Sequence, residues 1–178
     1  MSIRTIHVLG SPVLREVSTA VGQVDNAIRQ LVEDLFDTMR ADDGVGLAAN
    51  QVGIARRVAV VEVSDEPSVV LIDPMIVERE GKVRGEEGCL SIPDIFGDVD
   101  RAERVVVETT TLEGERIRVE ASDLRARVIQ HEIDHLDGVL FIDHLSPMKR
   151  RMLMKKWKKS RKGKTGYFKV VSPVPAKG

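Results

Sequence analysis

The chain has 178 residues, 42% hydrophobic and 31% charged, which is ordinary for a globular protein and long enough to bury a real core as one domain. No apolar run could span a membrane, the start MSIRTIHVLG has no signal-peptide core, and a lone cysteine forms no intramolecular disulfide, so a reducing cytoplasm is the expected compartment. The net charge of −1 hides an asymmetry: all 28 acidic residues lie within 1–143, while 144–178 hold 12 of the 27 Lys and Arg, an acidic body with a basic arm.

In chain order, Asp25 or Asn26 caps a helix to about Arg40, with Ile28, Leu31, Val32, Leu35, Phe36 and Met39 on one face. The segment GVGLAANQVG at 44–53 follows. Its glycines Gly44, Gly46 and Gly53 permit unusual backbone angles or close approach of another chain. A flexible surface turn is the plain reading, yet Leu47, Ala48 and Ala49 are too apolar for one. Gln51 adds an amide donor that could meet a developing oxyanion. Runs at 57–63, 69–77, 82–85, 104–111 and 116–120 read as strands, with a hairpin turn at 112–115. Ser122 or Asp123 then opens a helix that Gly138 closes, its apolar positions Leu124, Val128, Ile129, Ile133 and Leu136 keeping a 3.6-residue rhythm. Pro147 starts a last helix with an apolar seam of Met148, Met152, Leu153 and Trp157, and the end from Gly163 reads as extended or mobile. Strands clustered between helices, rather than alternating with them, give an α+β fold. We expect mixed or antiparallel strands around the 122–138 helix, with helices at both ends. Residues 1–146 form the catalytic part and 147–178 a basic helix and tail of the same domain.

The 122–138 helix carries His131-Glu132-Ile133-Asp134-His135. Histidines four apart share a helix face and can grip one divalent metal, and Glu132 beside them can move a proton for an attacking water. A catalytic site of this kind takes three protein ligands. No Asp or Glu follows Asp143, and the position six past His135 is Phe141, so the third ligand comes from upstream. Cys89, in EEGCLSIPD at 86–94, is the best candidate, with Gly88 allowing close backbone approach; buried filler is its bland alternative. Glu86 and Glu87 compete as ligands, and Glu87 is otherwise a group that supports a ligand or faces substrate.

Together GVGLAANQ, EGCLS and QHEIDH, in that order, closely resemble the three signature motifs of the peptide deformylases, over about residues 4–150. The resemblance implies removal of the N-formyl group from nascent polypeptides, with ferrous iron as the usual metal and Zn(II), Ni(II) or Co(II) accepted by the same ligands. It implies metal ligands Cys89, His131 and His135, proton transfer by Glu132, and an oxyanion met by the Gln51 amide and the Leu90 backbone N–H. The formyl-methionyl peptide would lie beside Val45, Gly46 and Leu47 as an added strand. Its methionine would enter an apolar pocket near Leu124, Val128 and His131, with Arg127 bordering the mouth and Glu87 nearby. From Lys149 to Lys164 there are ten basic residues and no acidic one, which suggests docking on ribosomal RNA where the nascent chain emerges. Two rival readings stand beside this one: a peptidase cutting internal amide bonds, and an RNA-binding protein whose metal only braces the fold.

Overall fold

The computed structural model describes residues 2–173. Its elements in chain order are β1 (Ile6–His7), α1 (Asn26–Ala41), β2 (Gly46–Ala48), β3 (Val58–Val61), β4 (Val69–Ile72), β5 (Met75–Glu80), β6 (Val83–Cys89), β7 (Ile92–Arg101), β8 (Arg104–Thr110), β9 (Arg116–Ser122), α2 (Asp123–Leu136), α3 (Pro147–Ser160) and β10 (Phe168–Lys169), with short 3₁₀ turns at 12–15, 49–52 and 141–144. The strands group as β1-β10, β2-β3-β4, β5-β8-β9 and β6-β7, every ladder antiparallel. The fold is α+β.

Helix α1 begins where the sequence places it. The Asp25 carboxylate accepts from the Ile28 N–H at 2.9 Å, satisfying one of the orphan donors of the first turn. Ile28, Leu31, Val32, Leu35 and Met39 are buried against β2 and β3 as one core, each contributing about 1.5–3 kcal/mol. Helix α2 packs a second core against β3, β4 and β8 through Ala126, Val128, Ile129, Ile133 and Leu136. Leu124, expected on that face, is instead 51% exposed. Ser122 stands at the N-cap, extended but without a side-chain capping bond. Gly138 lies just past the end at φ +74°, and a Cβ there would meet the Arg15 carbonyl oxygen at 2.7 Å, so only glycine fits.

Four strand and tail expectations change. The run at 69–77 is two strands, broken where Asp73 takes φ +49° before Pro74 and its carboxylate accepts from the Val21 and Gly22 N–H groups. The strand at 82–85 continues to Cys89 as β6 and pairs with β7. Along β7 the buried positions are Ile92, Ile95, Gly97, Val99 and Arg101, so a glycine and an arginine occupy inward slots. Helix α3 presents a narrower seam than expected: Leu153 and Trp157 join a third core with Val8, Leu9, Ile92, Ile95 and Phe141, whereas Met148 and Met152 are 82% and 60% exposed. The chain past Gly163 returns to the body as β10; the extended end expected over 174–178 lies outside the described residues.

Candidate metal centre and active site

Three segments converge. Helix α2 supplies His131, Glu132 and His135, all buried; β6 supplies Glu87 and Cys89; and β2 with the 3₁₀ turn after it supplies Gly46 and Gln51. The Cys89 thiol and the two imidazoles place one ligand atom each within 4.8 Å of one another. His131 Nε2 and His135 Nε2 are 3.1 Å apart, and Cys89 Sγ is 3.4 Å from His135 Nε2. Donors sharing one metal at ordinary metal–N and metal–S lengths would be separated by about 3.4 and 3.6 Å, so both of these separations suit a single shared ion. His131 Nδ1 donates to Glu87 Oε1 at 2.9 Å, which fixes the tautomer with Nε2 free to coordinate. Glu132 Oε2 and His135 Nδ1 are buried and have no hydrogen-bond partner among the described residues, and an unpaired carboxylate oxygen here fits a group that belongs between these side chains.

Glu87 does not face open solvent; it sits behind His131. Arg101, 6% exposed, donates to both its oxygens at 2.8 and 2.9 Å, and Arg127 Nη1 donates to Oε2 at 2.7 Å. Burial alone would raise the Glu87 pKa, but the hydrogen bonds from Arg101 and His131 and the charge of Arg101 outweigh it and hold the carboxylate well below its usual range. Arg101 also donates to Asp134 at 2.6 Å, and His144 reaches the same Asp134 oxygen at 2.8 Å. Arg101 and Asp134 are site-supporting residues that sequence reasoning missed. The available signal was the alternation in 95–101, which puts Arg101 on the inward face of β7. Burial pushes Glu132 up to about 7, with Glu87 and Asp134 adding to the rise and His131 and Arg101 opposing it. Burial likewise drives the His135 pKa well below 6.5.

Gln51 is held at both ends of its amide. Its Oε1 accepts from the Ala48 N–H at 2.9 Å, which turns Nε2 towards Ser91 Oγ at 3.0 Å and Cys89 Sγ at 3.7 Å. The Asn50 side chain donates to the His135 carbonyl at 2.6 Å and ties this turn to α2. In front of the cluster opens a cavity of about 460 Å³, whose walls include Val45, Gly46, Leu90, Leu124, Val128 and Phe96. Glycine at 46 is required: a Cβ would sit 2.6 Å from Glu132 Oε1 and 2.8 Å from Val128 Cγ1. Arg127 borders the cavity, yet it donates to Glu87 and to the carbonyls of Val83, Gly85 and Val99. The Leu47 side chain is wholly buried in the α1 core, which leaves its backbone to meet a ligand. Glu86 is exposed at the cavity wall, outside the three-donor cluster.

The polypeptide deformylase family model matches residues 3–151. A peptide deformylase of Alkalilimnicola ehrlichii is 48% identical over 162 residues, covering 89% of this chain and 91% of that protein. The crystal structure of a peptide deformylase from Legionella pneumophila superposes with a TM-score of 0.85 at 39% identity, over 90% of this chain and 96% of that one. That of Ehrlichia chaffeensis peptide deformylase in complex with actinonin gives a TM-score of 0.87 at 38% identity, over 93% and 100%. With its motifs gathered around one cavity, the chain belongs to the polypeptide deformylase family, hydrolases that remove the N-formyl group from newly made polypeptides.

Proposed function

We propose that Cys89, His131 and His135 hold one divalent metal, ferrous iron in the native enzyme, and that α2 is the central metal-binding helix of the fold. The observation that carries this reading is the 3.1 and 3.4 Å spacing of three donor atoms beside the buried, unpartnered Glu132 carboxylate. Zn(II), Ni(II) and Co(II) suit the same donors. Bound there, the metal supplies Lewis acidity that polarises the formyl carbonyl and acidifies water. Glu132 takes the proton from the attacking water and returns it to the departing amine, a task suited to a carboxylate pushed to about 7. The Gln51 amide, pre-aimed by Ala48 and Ser91, and the Leu90 backbone N–H donate to the oxygen on which charge builds.

The peptide lies as an added strand along Val45–Leu47, at the edge of the β2-β3-β4 sheet. Its methionine enters the apolar part of the cavity between Leu124 and Val128, with Glu87 and Arg127 buttressing the wall rather than touching the side chain. Residues 147–173 belong to the catalytic domain, since Leu153 and Trp157 complete one of its cores. The exposed Lys and Arg of α3 dock on ribosomal RNA. No helix among the described residues is long and apolar enough to cross a membrane, and a metal-binding thiol is best kept in a reducing cytoplasm. The test is formate release from formyl-Met-Ala-Ser by anaerobically iron-loaded protein, run beside an internally cleavable blocked peptide. Formate without internal cleavage is expected; internal cleavage without formate would favour the peptidase reading.

A further inference from the structure

The chain beyond residue 151 lies outside the stretch that the family model matches, yet it comes back to the catalytic mouth. After α3 it turns and pairs β10 with β1, Lys169 opposite Ile6 and Phe168 opposite His7. Several contacts fix this strap. Val8 N–H donates to the Tyr167 carbonyl at 3.0 Å, and the Tyr167 ring lies over Gly10 (φ +113°), leaving no room for a Cβ. The Phe168 ring stands edge-on to His7, centroids 4.9 Å apart, and Val171 is buried in the α1 core. Lys169 is thereby held in the wall of the catalytic cavity, where its ammonium donates to the Asp42 carboxylate. Asp42 caps the end of α1 and opens the short turn through Asp43, at φ +53°, to Gly44 and Val45. That turn leads directly into Gly46, which lies against Glu132. The paired side chains are 28% and 24% exposed, so water screens them less than a fully open surface pair.

We propose that Lys169 is a positioning residue for substrate: through Asp42 it fixes the 42–45 turn, making the C-terminal strap part of the peptide-binding site. The inference rests on the reading that the formyl peptide lies along Val45–Leu47. Without the tether the turn samples more conformations, and the peptide must order it on binding. The metal ligands, Glu132 and Gln51 stay where they are. The loss therefore falls on KM and leaves kcat, the pattern of an interaction equal in ground and transition states.

The experiment is steady-state deformylation of formyl-Met-Ala-Ser by the iron-loaded full chain, with bound iron and Tm measured for every variant. Wild-type turnover comes first, because its absence would refute the deformylase reading itself rather than the role of Lys169. Lys169→Ala and Asp42→Asn should each raise KM about 3- to 10-fold, with kcat and iron content within about 2-fold of wild type. The double variant should be no worse than either single one, as for two residues acting through one contact. Lys169→Arg should restore most of the KM. An unchanged KM in Lys169→Ala, a double variant as weak as the product of the singles, or a fall in kcat and iron at constant KM would each overturn the proposal.

Discussion

At the scale of single residues the site is a chain of dependencies that runs outward from the donors. His131 offers Nε2 because Nδ1 is tied to Glu87, and Glu87 is tolerated as a buried charge because Arg101 grips both its oxygens. Replacing Arg101 by Ala leaves Glu87 buried with Arg127 as its remaining cationic partner, a change that costs about 3–5 kcal/mol of stability where a buried pair is broken. The same loss loosens His131, so metal affinity should fall about 10- to 100-fold. Isothermal titration with zinc and a denaturant melt read the two effects separately. Cys89 is the donor whose assignment is most open to spectroscopy. Cobalt-substituted protein should show a thiolate-to-metal charge-transfer band that Cys89→Ser abolishes, and cobalt bound to the native chain without such a band would remove Cys89 from the donor set.

Among the elements, the helices were legible and the strands β1, β2, β7 and β10 were not. The rhythm of α1 and α2 is set by apolar residues that bury where they stand, so periodicity alone finds them. Strand β7 escapes because Pro93, Asp94 and Gly97 interrupt its apolar pattern and because Arg101, inward-facing, reads as a surface residue. Its burial depends on Glu87 and Asp134, 14 and 33 residues away, pairings that exist only once β6, β7 and α2 have come together. The two-residue β10 has no local signature and forms because β1 offers it an edge. In α3 the helical rhythm admits either methionines or Leu153 and Trp157 as the buried stripe, and contact with β7 decides for the latter. This bears on how ribosome docking is tested. Truncation after Leu145 removes Leu153 and Trp157 from a core, each worth about 2–5 kcal/mol, and would unfold much of the protein. Reversing the exposed Arg151, Lys155, Lys158 and Lys162 to Glu leaves that core intact. Those substitutions should abolish salt-sensitive ribosome binding in a pelleting assay while formyl-Met-Ala-Ser turnover stays unchanged; unaltered pelleting would remove α3 as the docking element.

The whole molecule divides its labour between three cores and one polar cluster. The cores are built from residues that do no chemistry, and they bring together β6, α2 and the β2 turn, which lie far apart in the chain. The gathering of Cys89, His131, Glu132, His135 and Gln51 at one place was legible because a metal hydrolase needs those residue types at those spacings. The supports that aim them were not, being set by contacts across the fold. With the buried members of the three cores all residues other than the donors, chelation should silence the enzyme while leaving its far-UV circular dichroism unchanged, and anaerobic ferrous iron should restore it. The most direct measurement follows formate release from formyl-Met-Ala-Ser together with bound iron, for the native chain and for Glu132→Ala. Near-stoichiometric iron is expected in both and, for the variant, a rate lower by about 10²–10⁴-fold. Full activity in Glu132→Ala, or iron and activity lost together, would contradict the role of Glu132 in proton transfer.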